Sequence, residues 1–211
     1  MMDRDLITSC VSLQIQGLQE VLQFTATEQY MRFYEDLSYC LNDLGGRIYI
    51  SGVGKNSNIA TKISESMASL GVRSGYINPT NYLHGDAGYI EDDDVVIHIS
   101  RSGKTDEMHA MARHLYANRP HINQYLIHCN ESLALSDGFI IEPFTRVMLI
   151  PNIIEGDELE TAPTTSTTVF LCLLDTITVA LSAEIGFTKE DFLSYHPGGN
   201  LGNILREDLN V

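Results

Sequence analysis

A hydroxyl-rich turn at residues 100–105, here called the serine turn, carries the most specific chemistry in the sequence. Ser100, Ser102 and Thr105 supply hydroxyl groups, and Gly103 lets a ligand approach the main chain. The turn lies between an apolar run and a segment of helical spacing, and the N–H groups that begin a helix attract anions. This pattern predicts a phosphate-binding turn that requires no metal ion. A helix cap formed by Ser102 or Thr105 explains the same residues equally well.

A glycine-containing loop at residues 51–58 follows an earlier apolar run. Gly54 leaves room for a ligand at the main chain, and Lys55 and Asn56 add polar side chains at the tip of the loop. The loop has two of the three glycines of a dinucleotide fingerprint, and no acidic residue clearly follows the next apolar run, so an NAD site is disfavoured. A loop that binds another ligand and a turn that binds no ligand remain as alternatives.

Polar residues cluster in a third region, around Glu155 and the hydroxyl run at residues 164–168. Five consecutive hydroxyl residues at a helix start exceed what one cap requires, so Thr164, Thr165 and Ser166 are candidates to line a pocket for sugar hydroxyls. The alternative is that these small and β-branched residues only pack a buried helix start.

Two of the seven histidines lie in glycine-containing turns, His84 before Gly85 and His196 before Pro197. A loop histidine is usually structural or exposed, so the residue type alone assigns neither a role. No two histidines show metal-ligand spacing on a helix, and the four cysteines form no Cys-x-x-Cys pair. We therefore expect no metal site, no disulfide framework and no cofactor.

The hydrophobic pattern supplies a scaffold that brings these distant loops together. Short apolar runs typical of strands lie at residues 48–50, 75–77, 95–99, 125–128 and 147–150. Segments of helical spacing lie at about residues 59–70, 106–117 and 165–185, with a shorter one from near Lys189. This alternation predicts an α/β fold with a five-stranded, mostly parallel sheet covered on both faces.

The two remaining parts of the chain are harder to assign. Residues 1–44 carry helical spacing and predict one or two N-terminal helices that end at Gly45-Gly46, while residues 137–145 predict either an edge strand or a loop. In an open parallel sheet ligands bind beyond the carboxyl ends of the strands, so we expect a site at the loops that follow residues 50, 99 and 150.

Composition disfavours several classes of partner. The 211 residues carry 28 acidic and 13 basic side chains, a net charge of -15 that would repel phosphate backbones, so we expect no nucleic acid partner. The most apolar stretch, residues 169–187, contains Asp175 and Glu184, which favours a buried helix over a membrane span. Because no secretory signal begins the chain, we expect a cytoplasmic protein, and its length predicts one domain over residues 1–211.

Taken together, these stretches resemble the sugar isomerase (SIS) domain of arabinose-5-phosphate isomerases, which interconvert ribulose 5-phosphate and arabinose 5-phosphate. The matching segments are residues 52–55, 84–88, 100–107, 162–168 and 186–202. Their order and spacing hold from about Arg47 to Leu205, and the closing His-Pro-Gly-Gly-x-Leu-Gly segment is the most specific of them.

The resemblance implies a three-layer SIS-type sandwich over residues 45–211, preceded by helices in residues 1–44. It also implies an aldose-ketose isomerisation through an enediol, and a homotetramer with active sites between subunits. The implied catalytic residues are Lys55, His84, Glu107, Glu155 and His196, with His196 or Glu155 as the first choices for the base that abstracts a carbon-bound proton. The expected ligand-binding residues are Gly54, Asn56, Ser100, Ser102, Gly103, Thr105, Thr164, Thr165 and Ser166.

Three segments depart from the usual pattern of that family. Arg101 and Lys104 stand where members usually have Asn and Glu, Asn56 replaces a serine, and an acidic segment from Asp157 replaces Cys-Pro-Leu-Gly-Leu. These changes leave two alternatives open: a catalytically silent sugar-phosphate sensor, or an isomerase of another sugar phosphate. Many members also carry a pair of regulatory CBS modules after this domain, and because the sequence ends at Val211 we expect that pair to be absent.

Overall fold

The computed structural model describes residues 4–134 and 143–209 and contains a five-stranded sheet in the order β2-β1-β3-β4-β5. The strands are β1 (Ile48–Ser51), β2 (Ser74–Ile77), β3 (Val95–Ile99), β4 (Asn123–His128) and β5 (Arg146–Leu149). All four strand pairings are parallel. The predicted strands are confirmed, although β4 begins two residues earlier than the apolar run indicates.

Nine α-helices precede, connect or follow these strands in the described part of the chain. They are α1 (Arg4–Thr25), α2 (Glu28–Tyr39), α3 (Lys55–Ser69), α4 (Pro79–Tyr82), α5 (Asp106–Asn118), α6 (Glu131–Ala134), α7 (Thr165–Glu184), α8 (Lys189–Tyr195) and α9 (Gly199–Leu209). The predicted helices correspond to α1 and α2 in the N-terminal segment and to α3, α5, α7 and α8. Helices α4, α6 and α9 were not predicted.

Helices cover both faces of the sheet because successive side chains of a strand point to opposite sides. Ile48 and Ile50 face the layer that contains α1, α2, α3 and α7. Tyr49 and Val96 face α4 and α5, and Leu126 also packs on α5. This arrangement confirms the three-layer α/β sandwich. Every residue of β1 and β3 is buried, which explains why these strands are continuous apolar runs.

Two helices form the N-terminal segment. Thr27 separates them by capping α2, since its hydroxyl accepts a hydrogen bond from the N–H of Tyr30 at 3.2 Å. Helix α2 continues into a wider π turn at residues 40–44, which ends at Gly45 as predicted. Gly46 must be a glycine, because a Cβ there would lie 2.0 Å from the carbonyl oxygen of Asp93.

Helix α7 is the apolar helix that the composition indicated. It is the one helix among the described residues with the length and composition of a membrane span, and 50% of its apolar stretch is buried. It packs against α1 and α3 in the layer over the sheet, which is the position of a core helix. Residues 137–145 were predicted to form either an edge strand or a loop. Residues 137–142 of this segment lie outside the described residues, and residues 143–145 form the turn into β5.

Candidate functional site

Loops from four strands meet at the carboxyl edge of the sheet, where ligands of open parallel sheets bind. This edge holds all but one of the predicted site positions. In the order of the sheet, they are His84 after β2; Gly54, Lys55 and Asn56 after β1; Ser100, Ser102, Gly103, Thr105 and Glu107 after β3; and Glu155, Thr164, Thr165 and Ser166 after β5.

The serine turn is held by its own hydroxyls and does not cap the helix that follows. The hydroxyls of Ser100 and Thr105 lie 2.9 Å apart, and the N–H of Gly103 donates to the Ser100 hydroxyl at 3.1 Å. The Ser102 hydroxyl accepts from the N–H of Lys104 at 3.1 Å, within the turn. Because Thr105 makes no cap hydrogen bond to α5, the helix-cap interpretation is wrong.

Three consecutive carbonyl groups of the serine turn accept hydrogen bonds from other parts of the chain. The carbonyl oxygen of Arg101 accepts from the N–H of Cys129 at 3.1 Å, and that of Ser102 accepts from the side-chain amide of Asn130 at 2.9 Å. The Gly103 carbonyl lies 2.7 Å from His109 Nε2, so this ring nitrogen is the protonated one. Because these carbonyls are engaged in hydrogen bonds within the chain, the N–H groups at the amino end of α5 are the groups of the turn that would attract an anion.

Gly103 has no allowed replacement without strain. Its φ is +66°, a left-handed conformation that favours glycine, and a Cβ there would lie 2.5 Å from Leu133 Cδ1. The sequence identified Gly103 but not His109 or Asn130, which position the turn. Asn130 follows β4 at the same edge, and that location was the available signal.

Glu155 is a fully buried carboxylate at the start of α7. Its Oε1 lies 3.0 Å from Arg101 Nε and accepts from the Ser166 hydroxyl. Its Oε2 accepts from the N–H groups of Thr164 and Ser166 at 2.9 and 3.2 Å, and the Thr164 hydroxyl donates to it at 3.2 Å. The hydroxyl run therefore binds a carboxylate of its own chain. Thr165 Oγ1 is buried and has no hydrogen-bond partner among the described residues.

Three predicted catalytic side chains remain available to a ligand. Lys55 begins α3, His84 follows α4, and Glu107 lies in the first turn of α5. All three are exposed, and none makes a side-chain hydrogen bond or ion pair to another described residue. The structure thus places a cation, an imidazole and a carboxylate on adjacent loops of one edge.

His196 lies at the opposite edge of the sheet within its own chain. It follows α8, whose Tyr195 lines a cavity with Arg47 and Arg73 at the amino ends of β1 and β2. The imidazole stacks on Phe192 with ring centroids 3.9 Å apart. Its Nδ1 is 3.1 Å from the carbonyl oxygen of Phe192, so Nδ1–H donates to that carbonyl and the lone pair lies on Nε2.

Two further histidines are buried behind the serine turn. His98 on β3 bonds the Gln124 side chain at 3.1 Å, and the Nδ1 of His128 on β4 accepts from the N–H of Asn130. Burial lowers the pKa of each imidazole to about 4, so both are neutral at pH 7. Within residues 4–134 and 143–209 no three His, Cys, Asp or Glu side chains are grouped to hold a metal ion.

A polar cavity of about 390 Å³ adjoins the serine turn on the β4 side. Burial raises the pKa of the Cys129 thiol in its wall to about 12, helped by the negative charge of Glu155, so the thiol is neutral. The cavity is lined by Arg101, Ser102, Cys129, Asn130, Glu131 and Ser132.

Comparison with known proteins places this arrangement in a family. The family model for the SIS domain matches residues 44–180, which include the whole sheet and the carboxyl-edge loops. The chain belongs to the SIS domain family. The match begins at the end of the N-terminal helices and ends within α7, so α8, His196 and α9 lie outside it.

Individual relatives of this SIS domain include proteins named for one sugar phosphate. The arabinose 5-phosphate isomerase KpsF of Escherichia coli O6:H1 is 34% identical over 208 residues, 96% of this chain and 60% of KpsF. A structure of an E. coli CFT073 protein in complex with arabinose 5-phosphate has a TM-score of 0.74 and 30% identity, covering 93% of this chain and 100% of that one. A crystal structure from Bacteroides fragilis has a TM-score of 0.78 and 27% identity, covering 90% and 96%. The chain spans about half the length of the curated relatives it matches, between 45% and 60%.

Proposed function

We propose that the protein is a phosphosugar isomerase that interconverts D-arabinose 5-phosphate and D-ribulose 5-phosphate. The observation that carries the proposal is the serine turn, in which three consecutive carbonyls are engaged in hydrogen bonds while its hydroxyls and the amino end of α5 are left to form an anion site. The similarity to KpsF and to a structure in complex with arabinose 5-phosphate supports this choice of sugar. A cytoplasmic location stays a prediction.

The phosphate of the substrate binds the serine turn. The Ser102 side chain is exposed, and Ser100 and Thr105 share a hydrogen bond that either hydroxyl can donate, so these groups can reorient toward phosphate oxygens. The sugar extends toward Lys55 on the neighbouring β1 loop, because β1 lies beside β3 in the sheet.

The isomerisation requires a base to take a carbon-bound proton, an enediol intermediate, and groups that stabilise the developing oxyanion. Of the two candidate bases, His196 is the one with a free proton acceptor: its Nδ1–H donates to the Phe192 carbonyl, which leaves the lone pair of the neutral imidazole on Nε2. Lys55 supplies a positive charge for the oxyanion. His84 and Glu107 are exposed groups of the same edge that can exchange the hydroxyl protons.

This assignment requires a second copy of the chain. His196 lies at the amino edge of its own sheet, so it reaches the carboxyl edge only from a neighbouring subunit, as in the homotetramer that we propose. Helix α1 offers a surface for assembly, since five large apolar side chains recur there at helical spacing on an exposed face. These residues are Ile7, Val11, Ile15, Leu18 and Leu22.

Turnover on a panel of pentose, hexulose and heptose phosphates tests the proposal. We expect ketose formation from arabinose 5-phosphate, and loss of about 10²-fold or more in kcat for both Lys55→Ala and His196→Ala. His121→Ala, which removes an exposed histidine just before β4 that has no role in the proposed reaction, is the matched control and should keep the parent rate. If the protein turns over only another sugar phosphate, the assigned substrate is wrong. Equal rates for all variants would refute the catalytic roles of Lys55 and His196.

Mixing the two inactive variants tests whether the sites lie between subunits. If Lys55 and His196 of one site come from different chains, random assembly of Lys55→Ala with His196→Ala subunits restores about a quarter of the sites. If both residues come from the same chain, the mixture stays inactive.

A catalytically silent sugar-phosphate sensor is the second candidate. The burial of Glu155 in an ion pair with Arg101 favours it, because one expected catalytic carboxylate is occupied. A ligand-induced rise in the unfolding temperature without turnover on any sugar of the panel would support the sensor.

A further inference from the structure

Glu155 has no capacity left to accept a substrate proton. Its two oxygens receive five contacts, from Arg101 Nε, the Ser166 hydroxyl and main chain, and the Thr164 hydroxyl and main chain. An ionised carboxylate offers about four lone-pair sites, so these contacts saturate it. The side chain is also fully buried. A general base must reach the proton that it abstracts, and Glu155 reaches only its own chain.

Arg101 connects this carboxylate to the serine turn. Its main chain belongs to the turn and is fixed by Cys129, and its Nε lies 3.0 Å from Glu155. Because β4 lies between β3 and β5, the ion pair joins loops that are two strand spacings apart, about 10 Å. Among the described residues the Arg101 side chain makes no other hydrogen bond or ion pair. Its charge is thus offset by Glu155 and adds little basicity to the turn.

We infer that Arg101 and Glu155 act together as positioning residues that fix the serine turn against the start of α7, and that Glu155 is not the proton-abstracting base. This inference rests on the proposed binding of a sugar phosphate at the turn. A buried ion pair contributes little net stability compared with apolar packing, but it specifies geometry. The geometry specified here is the distance between the phosphate turn and α7.

Three variants test the inference: Arg101→Asn, Glu155→Gln and the double variant. Arg101→Asn introduces the residue that arabinose-5-phosphate isomerases usually have at this position. Each single variant should raise KM for arabinose 5-phosphate about tenfold and leave kcat within about threefold of the parent. The double variant should also raise KM about tenfold rather than a hundredfold, because the two residues act as one unit. Arg119→Asn, which removes a surface ion pair with Asp92, is the matched control and should leave KM unchanged.

The alternatives give different results. If Glu155 is the base, kcat falls by about 10²–10⁴ in Glu155→Gln and in the double variant, which overturns the inference. If the pair serves stability alone, the unfolding temperature falls while KM is unchanged, which also overturns it.

If the parent protein binds arabinose 5-phosphate but does not turn it over, the proposed isomerase activity is refuted and the inference about Arg101 and Glu155 still stands. The dissociation constants of the same variants, measured by ligand-induced thermal shift, then decide: about tenfold weaker binding supports the pair, and equal binding overturns it. If the parent binds neither arabinose 5-phosphate nor inorganic phosphate, the inference fails together with the phosphate site.

Discussion

Gly103→Ala is expected to weaken both the fold and the phosphate site. An alanine with a φ of +66° adopts a left-handed conformation that costs about 1–2 kcal/mol. The new methyl group would also lie 2.5 Å from Leu133 Cδ1 and 3.4 Å from His128 Cβ, and relieving that overlap costs about 1 kcal/mol more. The expected total is about 2–3 kcal/mol, before the gain of about 0.4–1 kcal/mol from a stiffer unfolded chain.

Gly186→Ala is the matched control. Its φ is +70°, so the substitution has the same backbone cost and the same gain from the unfolded chain, but nothing lies within 4 Å of a Cβ there. Gly186 follows α7 outside the proposed site. The difference between the two variants therefore measures the contacts of the turn, about 1 kcal/mol or roughly 2–4 °C in unfolding temperature for a chain of this size.

Thermal unfolding with and without arabinose 5-phosphate is the assay. We expect Gly103→Ala to unfold at a lower temperature than Gly186→Ala and to bind the sugar phosphate about tenfold more weakly, a loss of about 1.4 kcal/mol. Gly186→Ala should bind like the parent. Equal affinities for the parent and Gly103→Ala would refute the assignment of the turn as the phosphate site.

Further predictions concern the core. A Cβ at Gly17 would lie 2.8 Å from methyl groups of both Thr165 and Val169, so Gly17→Ala should separate α1 from α7 and destabilise the fold by about 1–3 kcal/mol in urea unfolding; an unchanged midpoint would contradict this packing. Because the pKa of His98 and of His128 is lowered to about 4 by burial, the unfolded chain binds protons first on acidification. The stability that depends on these neutral imidazoles is present above pH 6.5 and is lost as the pH falls from 6.5 to 4. At pH 5 the loss is about 2 kcal/mol per histidine. His128→Asn should halve that loss between pH 7.5 and 5. A free energy of unfolding that does not change with pH in the parent would show that His98 and His128 are not buried as neutral imidazoles.

The sheet was predictable because its strands are buried on both faces. A strand such as Val95–Ile99 reads as a continuous apolar run, and the helices between such runs have helical spacing. The same run also contains His98, and a histidine within a buried strand was the signal for a neutral, hydrogen-bonded imidazole. The short helices α4 and α6 span only four residues each, too few for a periodic pattern.

The site was predictable as a set of loops but not as a set of contacts. The order of the strands brings the loops of β1, β3 and β5 to one edge, and the sequence indicated that edge. The partners of Glu155 and of the serine-turn carbonyls come from residues 6 to 54 positions away, and no local sequence pattern indicates them. His196 shows the same limit, because its motif is specific while its location at the amino edge depends on the packing of α8.

Proton exchange during isomerisation tests the central claim most directly. With the protein and arabinose 5-phosphate in D₂O, an enediol mechanism abstracts the C2 proton and returns deuterium, which NMR detects in the recovered sugar phosphate together with ribulose 5-phosphate. We expect deuterium at C2 with the parent protein and none with His196→Ala. Bound arabinose 5-phosphate that keeps its C2 proton and forms no ketose would contradict the isomerase.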